Sequence, residues 1–377
     1  MHERVRTDPR QWLWTLLGSH LPMRNSANPR QATVVVEALT LSREQRVQRL
    51  RALMGHADPA VKQLTIGIRD ITSRQYDLFV MPLIRRHWPG MLSDPFAVKM
   101  RLAACDLYAS APYTVLFCAP QRPLSVALIT HLGNRFALPN VVLGLASRVA
   151  LNVLGRVALA DQHRRIILIA AFIAMIDHAF DHCMDDPPRE RGRKLHALLD
   201  GDWEPDTPQL ELTRALQVEM ERDLGRLERE HFDQAVRKLK DWVDSEVAGL
   251  TGVADPTGVG HRLAGIEGTI DGLLFPVHQY AGERARPWMY EVSLFVQMLD
   301  DYIDVETDTK DGRLTPVISG EWTFEDIART WHNTVAGIEE LARAGGHAAP
   351  HYVRFIREAY VLMLCEVLEG MAAGLAD

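Results

Sequence analysis

Apolar positions recur every three to four residues along most of this chain, and no stretch is rich in strand-like alternation, so the pattern predicts helices. Ser42-Arg-Glu-Gln45 has the form of a capping box and opens a helix through Val47, Leu50, Leu53 and Met54. A second helix follows Asp58-Pro59 and runs, with room for a break, to about Arg86, where Trp88-Pro-Gly90 ends it. Residues 95–110 read as helix, Pro112, Pro120 and Pro123 mark a less regular segment, and a helix resumes near Leu124–Leu132. Val141–Ala160 is the next helix. Residues 162–185 form another, continuously apolar from Ile166 to Ile176, and Pro187-Pro188 stops it. Leu210 to about Leu250 gives one long or two shorter amphipathic helices, closed by the loop Thr251–Gly260. Leu263–Tyr280 is apolar around Pro276, which predicts a kink. Trp288–Asp304, a helix begun at Thr323-Phe-Glu-Asp326 and a last one from Pro350 complete the series. Residues 1–40 read as an N-terminal extension, with Ala32–Leu39 either strand or helix, and 41–377 as one all-α domain, a single large helical bundle.

Composition narrows the classes. The chain has 377 residues, 47 % hydrophobic and 24 % charged, with a formal net charge of −7, which fits a soluble globular protein and argues against a nucleic-acid partner. Cys105, Cys118, Cys183 and Cys365 are scattered without a CxxC pair, so a disulfide framework or zinc site is not expected and a reducing, cytoplasmic setting is. The run Trp12–Gly18 is too short for a signal peptide. The long apolar stretches near 141–160 and 166–180 are broken by Arg148, Arg156 and acidic residues, so they predict buried helices rather than transmembrane segments.

Two of those helices carry chemistry. Asp177, Asp181 and Asp185 are spaced by four residues, and so are Asp300, Asp304 and Asp308, 123 positions further on (300 − 177). Four residues is one helical face, where like charges repel by a few tenths of a kcal/mol per pair. One such triplet is ordinarily a solvated face. Two of them, each in an apolar helix and each followed by Arg-Gly or Gly-Arg, favour a site for hard divalent cations. Mg²⁺ takes one or two protein carboxylates and completes its shell with water and phosphate oxygens, so two facing acidic walls suit a diphosphate bridged by metal ions. Arg189, Arg191 and Arg193 after the first cluster, and Lys310 and Arg313 after the second, are placed to grip phosphate. The apolar helices below would enclose a hydrocarbon chain. Asp186 and Asp301 are expected to face solvent. Phe172, Phe180, Phe275, Phe295 and Tyr280 are expected in the core, with one or two ring faces available to a cation. His178 and His182 are expected as hydrogen-bonded neighbours of the metals, not ligands.

Here the chain resembles known families. Gln297-Met-Leu-Asp-Asp-Tyr-Ile-Asp-Val-Glu-Thr-Asp308 resembles the second aspartate-rich motif of trans-isoprenyl diphosphate synthases. Asp181-His-Cys-Met-Asp185 with Arg191-Gly192 is similar to their first motif and its basic turn, and Leu274-Phe-Pro-Val277 to their kinked helix. Asp304-xxx-Asp308 with Gly312-Arg313 also resembles the second motif of squalene and phytoene synthases. The strongest resemblance is to bacterial large-terpene cyclases of the tetraprenyl-β-curcumene synthase type, through Asp181 and Asp185, the stretch Leu195-His196 to Leu199-Asp200, and Val296 to Asp308. It covers roughly residues 165–316. The resemblance implies the class I terpenoid synthase α-fold around a central apolar cavity. It also implies Mg²⁺, about three ions with Mn²⁺ as a substitute, and ionisation of a linear all-trans prenyl diphosphate. Metal ligands would be Asp177, Asp181, Asp185, Asp300, Asp304 and Asp308, of which Asp181, Asp185, Asp300 and Asp304 carry the catalysis; Arg191, Arg313 and Lys310 would bind the diphosphate. A homodimer is compatible with that superfamily.

The departures bear on the reaction. His182 stands where chain-elongating synthases carry an acid, Glu190 interrupts the Arg pair, and Glu267 falls about where a lysine is expected. A second basic pocket for isopentenyl diphosphate is not visible. The expected reaction is therefore a terpene synthase reaction, in which one substrate is ionised and the cation cyclised or quenched. The alternative is a prenyl diphosphate synthase or head-to-head prenyltransferase. Two remoter readings are a di-iron carboxylate bundle and a non-catalytic helical interaction protein. The first needs two Glu-x-x-His pairs, and only Glu228-Arg-Glu-His231 is found; intact carboxylates in both motifs weigh against the second.

Overall fold

A computed structural model describes residues 38–109, 160–222, 226–251, 258–273, 284–345 and 350–373, with isolated positions at 224 and between 114 and 149. Among the described residues the chain is helical and has no strand. The expected N-terminal extension up to residue 37, the helix near Leu124–Leu132 and the Pro276 kink with Phe275 and Tyr280 lie outside the described residues, as does most of Val141–Ala160.

Local signals start and stop the helices. Helix α1 (Arg43–Met54) begins with Ser42 accepting from the Gln45 amide while the Gln45 side chain caps the Ser42 amide. After the short turn Pro59–Val61 comes α2 (Lys62–Gln75), which passes through a π-helical segment, Tyr76–Val80, into α3 (Met81–His87). The expected helix to Arg86 is thus continuous but widened in its middle. Helix α4 (Pro95–Leu102), capped by Asp94, runs into a second π-helical segment, Ala103–Tyr108. Helix α5 (Ala160–His182) is buried on every side from Ile166 to Phe172, as expected of a central helix. Then follow α6 (Pro188–Asp200), α7 (Pro208–Glu221) and α8 (Arg226–Thr251), so Leu210–Leu250 is two helices. Helix α9 (Val259–Glu267) continues into a third π-helical segment, Gly268–Leu273. Helix α10 (Ala285–Ile303) is followed by α11 (Val305–Asp311) and the short α12 (Pro316–Ser319). Helix α13 (Phe324–Ala344) opens on a Thr323–Asp326 capping box, and α14 (Pro350–Ala372) is the last.

The helices pack into a ring. Helix α5 lies against α2, α2 against α14, and α14 against α10; α10 and α5 both meet the segment Gly268–Leu273. Helix α1 lies across the seam between α10 and α14. The two helices that carry the acidic motifs are therefore joined around both sides of the bundle. Phe172, Phe180 and Phe295 are core residues, as expected. Burying each contributes roughly 1.5–3 kcal/mol. Among the described residues no helix is long and apolar enough to cross a membrane.

Candidate metal and diphosphate site

Asp177 and Asp181 sit one turn apart near the end of α5. The expected third rung does not follow: the helix ends at His182, its closing bond runs from the Cys183 amide to the Ala179 carbonyl (3.3 Å), and Asp185 lies exposed in the loop to Pro187. The extended Pro187 and Pro188, the first residue of α6, act upstream of themselves, because the chain must straighten to enter them. Arg191 ties this loop down, donating to the Asp186 carbonyl (2.7 Å) and the Phe180 carbonyl (3.1 Å). Lys194 pairs with Asp186 at 2.7 Å, so Asp186 is half-buried and engaged rather than facing solvent. His178 is stacked flat on Phe96, ring centroids 3.6 Å apart, and burial lowers its pKa to about 4. It is thus an aromatic packing partner, where the sequence suggested a hydrogen-bonded one.

The second wall is a helix with a controlled break. Asp300 stands in the last turn of α10, and at Asp304 the backbone leaves the helix (φ −100°, ψ 13°) before α11 begins. Bonds from the Asp304 amide to the Asp300 carbonyl (3.0 Å) and from the Asp308 amide to the Asp304 carbonyl (2.9 Å) carry the four-residue spacing through the break. Arg46 of α1, wholly buried, donates twice to the Ile303 carbonyl at the break (3.3 and 3.0 Å). Arg43, one turn earlier, reaches Asp304 Oδ1 at 3.3 Å. Helix α11 ends on Gly312 (φ 69°), and the Arg313 amide bonds back to the Asp308 carbonyl (2.8 Å), a Schellman turn. Lys310 is exposed on α11.

Asp301 corrects the solvent-facing expectation. It is wholly buried, and its Oδ1 accepts from Arg262 at 2.7 Å and from Gln297 at 3.2 Å. Its Oδ2 is buried without a hydrogen-bond partner. Arg262, near the start of α9, is the group that brings the walls into one field. Burial opposes its charge, but Asp301, Glu246 and Asp300 outweigh burial and raise its pKa. Its charge also acts on Asp177.

Desolvation pushes Asp177 up to about 7, helped by the charges of Asp181 and Glu246 and opposed by Arg262 and Arg313. Asp177 nevertheless keeps open surface. Desolvation likewise pushes Asp300 up to about 7, with Asp301, Asp304 and Asp308 adding to the effect and Arg262 opposing it. Glu246 of α8 is raised by desolvation too, against Arg262 and Arg313. The charge of Arg313, which follows the second motif, thus acts on Asp177 and Glu246 as well.

Glu246 and Arg262 were missing from the sequence reading. The signal for Glu246 was an acid on the apolar stripe that α8 runs through Phe232, Leu239 and Val243. Arg262 carried a weaker one, a lone guanidinium in the short apolar α9. The site thus joins Asp177, Asp181, Glu246, Asp300, Asp301, Asp304 and Asp308 through shared charges, with Arg262 and Arg313 between them. Asp185 lies in the exposed loop, Lys310 is exposed on α11, and Arg191 is engaged by the Asp186 and Phe180 carbonyls. Among the described residues no three His, Cys, Asp or Glu side chains converge tightly enough to hold a metal unaided. A small cavity between α2 and α14, lined by Thr65, Ile68, Arg69, Met363 and Glu366 among others, contains none of these acids.

Compared with known proteins, the chain matches no protein-family model, no curated protein and no solved structure.

Proposed function

We propose that this protein is a Mg²⁺-dependent class I terpene synthase that ionises a linear all-trans prenyl diphosphate and cyclises or quenches the cation. The observation that carries the reading is that two acidic motifs far apart in sequence stand near the C-terminal ends of α5 and α10, two helices that both pack on the segment Gly268–Leu273, with the charge of Arg262 acting on both Asp177 and Asp300. The donor set is all hard carboxylate oxygen, which suits Mg²⁺.

In this reading Asp177, Asp181 and the loop residue Asp185 hold ions on one wall, and Asp300, Asp304 and Asp308 on the other. When bound, Mg²⁺ supplies Lewis acidity and offsets the charge of the leaving diphosphate. Arg262 and Arg313 bind diphosphate oxygens through their forked donors, with Lys310 at the rim, and Arg191 fixes the loop that presents Asp185. The apolar flanks of α5 and α10, beginning with Ala174 and Val296 one turn below the acids, hold the hydrocarbon and exclude water. A cytoplasmic enzyme and a homodimer belong to the same proposal.

Purified protein incubated with Mg²⁺ and C10 to C25 all-trans prenyl diphosphates, singly and with isopentenyl diphosphate, tests it by mass spectrometry of the extract. A hydrocarbon or alcohol from one substrate alone is expected, and its loss in Asp181→Ala and Asp304→Ala at unchanged helicity. A longer diphosphate made only with the co-substrate would reassign the chain to prenyl transfer. Diphosphate release by neither route would sink the enzyme reading.

A further inference from the structure

The second acidic wall is held by an element that neither motif includes. Arg46 and Arg43 project from adjacent turns of α1. Arg46, without exposed surface, donates to the carbonyls of Ile303, Ala38 and Leu41, and lies 3.5 Å from Glu306, so α1 is pinned to the helix break itself. Arg43 is consequently no loose surface side chain. Its Nε faces Asp304 Oδ1 at 3.3 Å, while Nη1 and Nη2 donate to the Ala372 and Met371 carbonyls at 3.2 and 2.9 Å. Those carbonyls belong to the last turn of α14, where backbone acceptors have no partner within the helix and a cation is favoured. One guanidinium thus caps the final helix and neutralises a carboxylate of the acidic wall.

We infer that Arg43 is a resident counter-ion of Asp304, displaced when a divalent cation takes that carboxylate, and that its displacement loosens the last turn of α14. The inference rests on the metal-site reading above. A cation at Asp304 and the Arg43 guanidinium compete for the same oxygen, so each weakens the other. Once pushed off Asp304, the fork no longer lies where both carbonyls accept from it. The bundle survives this release, because Arg51 separately joins α1 to α14 through Glu369 (2.7 and 2.6 Å).

The test uses the full chain and Mn²⁺, whose free concentration is read from its paramagnetic resonance signal, with amide hydrogen exchange measured in parallel. For Arg43→Gln the affinity for Mn²⁺ is expected to rise about two- to fivefold, the range set by an exposed ion pair. In wild type, Mn²⁺ is expected to speed exchange at Met371, Ala372 and Ala373; in Arg43→Gln that exchange starts fast and Mn²⁺ leaves it unchanged. Arg43→Lys separates charge from geometry: it keeps wild-type affinity but exchanges fast, since an ammonium cannot span both carbonyls and the carboxylate. Wild type that binds Mn²⁺ with the same affinity as Arg43→Gln overturns this inference and leaves the metal site standing. Wild type that binds no Mn²⁺ overturns the metal site and the inference with it.

Discussion

At the scale of single residues, the acidic walls work against the fold that presents them. Asp177 and Asp300 have folded-state pKa values of about 7, above the ordinary carboxylate value near 3.9 expected in the unfolded chain. Between those two limits the folded chain holds more protons than the unfolded one, so stability falls as pH rises from about 4 to about 7. In chelator-treated protein, urea unfolding across that window is expected to show wild type losing stability relative to Asp177→Asn/Asp300→Asn, and excess Mg²⁺ closing the gap. Parallel profiles with and without the ion would remove these two groups as its ligands. Asp301 is a different case, because its partner is fixed. Arg262→Met leaves a buried charge uncompensated and is expected to lower unfolding free energy by about 3–5 kcal/mol, while adding Asp301→Leu recovers most of the loss. Equal losses in the single and double variants would mean that the pair does not set the cost.

At the scale of elements, close approach decides where the third acidic contribution stands. Helix α6 lies on α8 through Gly192, where an added Cβ would meet Val247 Cγ2 at 2.7 Å. Val247 adjoins Glu246, so Gly192→Ala pushes on the backbone that carries this carboxylate. It is expected to cost about 1–3 kcal/mol in thermal or urea unfolding, and a neutral result would mean that α6 shifts freely. This contact also separates what sequence conveys from what it does not. Arg191-Gly192 was legible as a motif, but the reason for its glycine lies 55 residues away in α8 (247 − 192). The capping box at Ser42 and the helix start at Thr323 were legible because their partners lie within one turn. Asp301 was misjudged because one residue along a helix turns a side chain by about 100°, and only the position of α9 tells which direction is inside.

At the scale of the whole molecule, the all-α bundle was readable from apolar periodicity. The pairing of Arg262 with Asp301, 39 residues apart, and the grip of α1 on the break at Asp304, 261 residues apart, depend on packing between separate segments, which no local pattern encodes. One further property of the bundle is that the three π-helical segments among the described residues, Tyr76–Val80, Ala103–Tyr108 and Gly268–Leu273, pack against α5. A π turn closes its hydrogen bond one residue later than an α turn and so carries a surplus residue. In an α-helix, excising a residue spins everything downstream by about 100° and misplaces the apolar face. In Tyr76–Val80 the same excision restores α pitch and returns the following α3 to its original face. A single-codon deletion scan scored for cooperatively folding protein is therefore expected to show tolerance at Tyr76–Val80 and intolerance in α5 and α10. By that measure the passage from α2 to α3 is a place where chain length is adjustable beside the central helix, leaving the order of the surrounding helices intact.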